Sequence, residues 1–422
     1  MFSKGQTVAQ LSESFLQKVI RNHFDSCQSY FDTSVIDDIN PEVIQSIWEK
    51  IPQYVGEYKS YEDIRTERPD TTDIVLIRCV FEKTKLDMKF AYNRNKKIIG
   101  VFFVPPRSKT AYNLPDYYEV SKQYENKIPV KTGTMELPGV LCVPNNITDP
   151  PVVLLLAGSG PNDKDETIGP NKPLKDLAVG LASNGIASYR YDKRAHVYAS
   201  KMDMNKTGLY EEVVEDALNA IKLLRANPVT KNSKIIVAGH SLGAFCAPWI
   251  ASKSKEVSGV IMLAGPARPL EDLADEQIEY LLSDKFPPEK VKERLAEYKK
   301  HTDLVRDPKK LKKAEASELP FGLPSYYWQS VKKYDHIGTA KKLKQPVFVI
   351  QGERDYQVKM ADFNIWKKEL ENDPKNKFRS YEGLNHLLQK GDKPSKPEEY
   401  NEPGNADVKV IRDIIEFVKG IK

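Results

Sequence analysis

KIIVAGHSLGAF, residues 234–245, is the stretch whose reading decides the fold. Ile235 to Ala238 form a short apolar run, as expected of a strand buried on both faces of a sheet. Gly239-His240-Ser241-Leu242-Gly243 follows, and a run with helical character begins at Leu242. A serine framed by two glycines, with a strand before it and a helix after it, fits a sharp strand-to-helix turn. The turn exposes the serine Oγ, while the glycines let strand and helix approach closely. It also aims the positive end of the helix dipole at whatever the serine attacks. The pentapeptide alone recurs by chance. Its flanks make Ser241 the expected nucleophile.

Outward from this turn, strands alternate with helices from about residue 125. PVVLLLAG (151–158) is a continuous apolar strand, followed by a helix over KPLKDLAVGLASNG (172–185) and a strand at IASYRYD (186–192). LYEEVVEDALNAIKLLRAN (209–227) reads as one long amphipathic helix. VSGVIMLAG (257–265), PVFVIQG (346–352), a short strand near KFRSYEG (377–383) and a last helix at 406–421 complete the series. This pattern predicts a doubly wound, mostly parallel α/β sheet over 125–422. Lysine- and glutamate-rich helical sequence at 268–340 interrupts it as an insertion.

A serine nucleophile needs a base, and the base needs an orienting carboxylate. Behind such a turn, the chain order is serine, acid, histidine. PVFVIQGERDYQV (346–358) sets Asp355 just past an apolar strand, and YEGLNHLL (381–388) sets His386 in a loop before the last helix. Glu353 and Asp362 compete as the acid. Glu353 follows its strand too closely to turn back, and Asp362 falls at the start of the next helix. Of the other histidines, His23, His301 and His336 read as solvated, His196 as a weaker rival, and His240 as a packing residue. The oxyanion that forms on attack needs two backbone N–H donors. Leu242 follows the nucleophile and supplies one. The other lies in LLLAGSGPNDKDE (154–166), where position favours Ser159 over Gly158 or Gly160. The loop matches neither phosphate-binding pattern, G-x-x-x-x-G-K-[ST] nor G-x-G-x-x-G.

Residues 1–105 read as a small α+β domain. Val8 to about Phe31 has helical spacing, and a second helix is predicted at Pro41 to Ile51 with Asn40 as N-cap. DIVLIRCVFEK (73–83), LDMKFAYNR (86–94) and KIIGVFFVPP (97–106) read as strands, with NRNKK (93–97) as a turn. Residues 106–124, with their prolines and polar residues, read as a linker. Tyr112, Tyr117 and Tyr118 suggest that it packs on a surface.

The net charge of +5 is a small difference between 64 basic and 59 acidic residues, and the lysines are interspersed with acids. This excludes a nucleic-acid surface read from charge. Cys27, Cys79, Cys142 and Cys246 lie far apart with no CxxC pair, so no zinc site is expected. With no signal-peptide pattern and no apolar run long enough to span a bilayer, the expectation is a cytoplasmic protein without membrane contact. A leader removed beforehand would leave no trace. No metal or other cofactor is expected, and nothing in the sequence decides whether the chain forms a homodimer.

Two clusters have two readings each. In YRYDKRAHVYAS (189–200), Asp192 and Arg194 either pair structurally near the site or Arg194 recognises an acidic substrate. In LPFGLPSYYWQS (319–330), Tyr326, Tyr327 and Trp328, with Phe321, either line an apolar substrate pocket or cap the core.

GSGPNDKDETIGPNKPL (158–174), YRYDKR (189–194), GHSLGA (239–244), QGERDYQV (351–358) and GLNHLL (383–388) together resemble the bacterial two-domain carboxylesterases of the α/β-hydrolase superfamily. The first loop of that family reads GSGP-x-D-R-D-E, and a small α+β domain precedes its hydrolase domain. The resemblance implies a serine esterase acting on small-molecule esters of short to medium acyl chains, with no cofactor. It sets Ser241, Asp355 and His386 on the triad positions and Ser159 on the oxyanion position. Lys164 stands where the family has Arg, and Ala195-His196 where a Gly is usual. The alternatives are a peptidase or thioesterase of the same fold, or a non-catalytic binding protein, against which the intact Ser, Asp, His order argues.

Overall fold

The helical spacing from Val8 to Phe31 breaks in the middle. In the computed structural model, which describes residues 6–36, 39–67, 73–104 and 111–421, helix α1 spans Val8–Ile20 and ends where Asn22 takes a φ of 58°. Asparagine tolerates that left-handed conformation, which closes an α-helix. The chain continues as a 3-10 turn over Phe24–Tyr30. Helix α2, Pro41–Val55, begins as expected, with Asn40 accepting from the Val43 N–H at 2.9 Å. It runs past the expected end to Gly56, whose φ is 79°. Strands β1 (Tyr58–Glu67), β2 (Asp73–Phe81), β3 (Lys85–Tyr92) and β4 (Ile98–Val104) form an antiparallel sheet in chain order. Phe15, Leu16, Ile77 and Phe90 belong to the core shared by the helices and this sheet.

These elements make one compact unit, Met1–Lys109, and Thr110–Lys422 makes the other. Of the expected linker, residues 106–110 lie outside the described residues. The remainder is built into the larger unit: the Tyr112 hydroxyl donates to Asp176 at 2.6 Å, and Tyr117 donates to the Ala406 carbonyl at 2.8 Å.

The larger unit opens with β5 (Gln123–Lys127), a hairpin of β6 (Val130–Thr132) and β7 (Met135–Leu137), then β8 (Gly139–Pro144) and β9 (Val152–Leu156). Helix α3 (Pro173–Ala182), β10 (Ala187–Tyr191) and the short α4 (Arg194–Tyr198) follow. The long helix expected over 209–227 starts as a π-turn, Tyr210–Val214, before α5 (Glu215–Ala226). Next come β11 (Ile235–His240), α6 (Leu242–Lys253) and β12 (Val257–Leu263). The insertion holds α7 (Leu270–Ser283), α8 (Pro288–Arg306), α9 (Pro308–Leu311), α10 (Ser325–Lys333) and α11 (His336–Lys341). After it stand β13 (Val347–Gly352), α12 (Met360–Leu370), β14 (Lys377–Tyr381) and α13 (Val408–Gly420).

The sheet runs β14-β13-β12-β11-β9-β10-β8-β5, parallel from β14 to β10 and antiparallel at β8 and β5. β9 and β11 are buried throughout, as their unbroken apolar runs require. Residues of α5, α6 and α12 pack in the core on one face, and those of α3 and α13 on the other. Because β9 lies between β10 and β11, the chain reverses its direction of travel across the sheet here. A crevice at the carboxyl ends of the strands opens at such a switch point. Leu156 stands in register with Gly239, so the loops after β9 and β11 begin side by side. Among the described residues, no helix is long and apolar enough to cross a membrane.

Candidate active site

Ser241 ends the strand side of the turn with φ 52° and ψ −116°, a conformation non-glycine residues rarely hold. Such a residue stores on the order of 1–3 kcal/mol and persists only where its surroundings over-determine it. Its N–H donates to the Leu263 carbonyl of β12 at 2.9 Å. A Cβ on Gly239 would overlap the backbone of Gly243, and one on Gly243 would lie 2.5 Å from the Leu156 carbonyl oxygen. Only glycine fits at both positions. The turn therefore sets Ser241 directly beside the end of β9.

Asp355 follows β13 in a tight turn and is buried. Its Oδ1 accepts from the N–H groups of Gln357 and Val358 at 2.7 and 3.0 Å. Its Oδ2 accepts from Gln351 Nε2 at 3.1 Å and faces His386 Nδ1 at 2.6 Å. Four donors thus orient one carboxylate, and the Nδ1–H contact leaves Nε2 of His386 as the basic nitrogen. The competing acids are engaged elsewhere. Glu353 accepts from Ser380 at 2.6 Å, and Asp362 accepts from the Ala267 and Arg268 N–H groups, both at 2.9 Å, and from the Arg268 guanidinium.

His240 does more than pack. Its Nε2 faces the His386 carbonyl at 2.9 Å, its Nδ1 faces Glu166 Oε1 at 2.9 Å, and its ring lies 4.6 Å from that of His386. Both partners are acceptors, so the pair must carry a proton on each side of the imidazole. Burial opposes the charged ring, but the adjacent Glu166 carboxylate outweighs it and holds the His240 pKa above the ordinary value. This buried pair ties the His386 loop to the residue preceding the nucleophile.

In the loop after β9, the Gly158 N–H donates to Glu166 Oε1 at 2.7 Å and so is already engaged. Among the described residues, neither the Ser159 N–H nor the Leu242 N–H has a protein acceptor. Ser159 is exposed, and Leu242 heads α6. The loop is knit to its neighbours: Asp165 takes Arg190 Nε at 2.8 Å and Lys172 Nζ at 2.9 Å. Burial works against the Asp165 carboxylate, but Arg190 and Lys172 outweigh it and lower its pKa to about 2.

The expected Asp192–Arg194 pair does not form. Beyond β10 the chain turns into α4 at Arg194, so Asp192 pairs with Lys164 at 3.0 Å while Arg194 turns to Asp216 and Glu215 at 2.6 Å each. Arg194 is buried in that contact and takes the structural role. Between them Lys193, which sequence reasoning passed over, is buried against Glu212 at 2.6 Å and the Gly158 carbonyl at 2.9 Å. The three aromatics of the expected pocket separate. Tyr326 is 44% exposed, whereas Tyr327 and Trp328 belong to the main core. His336 is only partly solvated; its Nε2 faces the Ala267 carbonyl at 2.7 Å. His196 faces the Pro161 carbonyl at 3.0 Å.

Residues 172–393 match the family model described as serine aminopeptidase, S33, and residues 12–101 match one described as a protein of unknown function. Esterase EstD of Thermotoga maritima is 35% identical over 96% of this chain and 93% of its own. Among solved structures, an esterase of Pyrococcus furiosus has a TM-score of 0.48 at 20% identity, covering 75% of this chain and 97% of its own. Est1E of Butyrivibrio proteoclasticus has a TM-score of 0.45 at 17% identity, covering 69% of this chain and 99% of its own.

Proposed function

This chain belongs to the α/β-hydrolase family of Esterase EstD and hydrolyses carboxylic esters, and from that premise we propose how it does so. His386 takes the proton of Ser241 as its Oγ attacks the ester carbonyl. Asp355 holds the imidazole tautomer and stabilises the imidazolium that forms. The N–H groups of Ser159 and Leu242, with the N-terminus of α6 behind the latter, stabilise the tetrahedral oxyanion. The alcohol leaves with the proton from His386, and water then resolves the acyl-enzyme by the same steps. The observation that carries this reading is the carboxylate–imidazole contact of 2.6 Å at the sheet edge where the strained serine stands.

The proposed substrates are small esters of short to medium acyl length. Tyr326, exposed like Phe321 of the same cluster, is the candidate to meet them, whereas Tyr327 and Trp328 are buried in the core. Amide substrates are favoured only by the description of the matching family model. Turnover of aminoacyl p-nitroanilides at rates near those of esters would move the reading to a peptidase.

The test is hydrolysis of p-nitrophenyl acetate and butyrate, with fluorophosphonate labelling, by the wild type and by Ser241→Ala. Turnover and labelling should both vanish in the variant. A variant that keeps either one would remove Ser241 from the mechanism.

A further inference from the structure

The most conspicuous group near the site without a part in the mechanism above is a buried lysine. Lys193 lies just past β10, and its side chain is 6% exposed. Taking an ammonium and a carboxylate out of water costs several kcal/mol per ion, recovered only when the geometry is good and other polar groups join. Here the third group is a backbone carbonyl of the site itself. Lys193 Nζ donates to Glu212 Oε1 at 2.6 Å and to the Gly158 carbonyl at 2.9 Å, and Asn162 Nδ2 reaches that carbonyl at 3.2 Å. On the opposite side, the Gly158 N–H is held by Glu166. Tyr327 is buried beside Glu212, and burial with the Glu212 carboxylate pushes its phenol well above the ordinary range.

In a trans peptide the C=O of one residue and the N–H of the next point in opposite directions. A cation that pulls the Gly158 carbonyl to one side therefore turns the Ser159 N–H to the other. The Gly158 Cα stands close to the nucleophile, since a Cβ built on it would lie 3.0 Å from Ser241 Cβ. We propose that Lys193, anchored by Glu212, is a positioning residue for the oxyanion hole, aiming the Ser159 N–H by holding the carbonyl of the same peptide. The proposal rests on the role given to Ser159 above. Lys193 itself touches no reacting atom.

The test uses the full chain with Lys193→Met, the charge-free pair Lys193→Met/Glu212→Met, and the isosteric Glu212→Gln. The pair removes both ions together, so that folding is not burdened by an unpaired buried charge. Removing one oxyanion donor outright costs about 10²- to 10³-fold in kcat. Misaiming it should lower kcat about 10- to 100-fold, with KM for p-nitrophenyl butyrate within about twofold. An alkyl trifluoromethyl ketone, whose adduct with Ser241 carries the oxyanion, should bind more weakly by the same factor as kcat/KM falls. The matching unreactive alcohol should bind as before. Glu212→Gln should show the same pattern with a smaller factor. If a variant folds and melts lower but keeps kcat and ketone affinity, the ion pair is structural only and the proposal is overturned. Turnover surviving in Ser241→Ala would instead overturn the reading beneath it, so the two failures are distinguishable.

Discussion

Asp355 is held by four donors, and a single atom change isolates its part. In Asp355→Asn, the amide keeps one oxygen for the Gln357 and Val358 N–H groups and presents an NH₂ to His386 where Oδ2 stood. A donor facing Nδ1 draws the proton of the imidazole to Nε2, where the base is needed free. The variant should fold, and its kcat should fall about 10³- to 10⁴-fold while KM changes little. Steady-state kinetics on p-nitrophenyl butyrate checks this, and a loss under tenfold would mean that another acid orients His386. Asp355 was readable because it stands in a short loop after an unmistakable strand. The Glu166–His240 and Lys193–Glu212 pairs were not. Charged residues are normally solvated, and no local spacing marks the ones that the sheet buries.

At the scale of the element, the strand-turn-helix unit depends on close approach rather than on side-chain contacts. A Cβ on Gly243 would meet two backbone oxygens at the end of β9, those of Leu156 at 2.5 Å and Ala157 at 2.8 Å. Neither can swing aside as a flexible side chain does, so β9 or α6 must shift. Gly243→Ala should cost about 1–3 kcal/mol, the range for overpacking, and should reduce turnover as well. Gly420→Ala in α13, where an added Cβ meets nothing within 4 Å, should be neutral or slightly stabilising. Urea denaturation compares the two. Equal midpoints would refute the close-packing account. Elements with strong periodicity or an uninterrupted apolar run, such as β9, β11 and α6, were legible. The break of α1 at Asn22 and the π-turn at Tyr210–Val214 were not, because apolar spacing reports which face is buried and says little about where backbone dihedrals change.

Across the whole molecule, stability should depend on acid through the loop that carries Ser159. Asp165 has its pKa lowered to about 2 from 3.8, against its own burial, by Arg190 and Lys172. A depressed folded value means that the unfolded chain binds the proton first. The contribution is therefore present above pH 4 and is lost as pH falls from about 4 to about 2. At about 1.4 kcal/mol per unit, it amounts to roughly 2 kcal/mol. Asp165→Asn should melt lower than wild type at pH 7 and lose less between pH 4 and 2; parallel melting curves over that range would exclude the linkage. By itself the sequence determined the α/β class and the serine turn, and it singled out Asp355 and His386 as the acid and base candidates behind Ser241. Each of these follows from patterns within a few residues and from the β-α alternation that predicts a mostly parallel sheet. Only the tertiary structure decided which ions meet. Strand order sets β9 between β10 and β11, and that non-local choice brings Lys193, Glu212, Glu166 and His240 around a single glycine, Gly158.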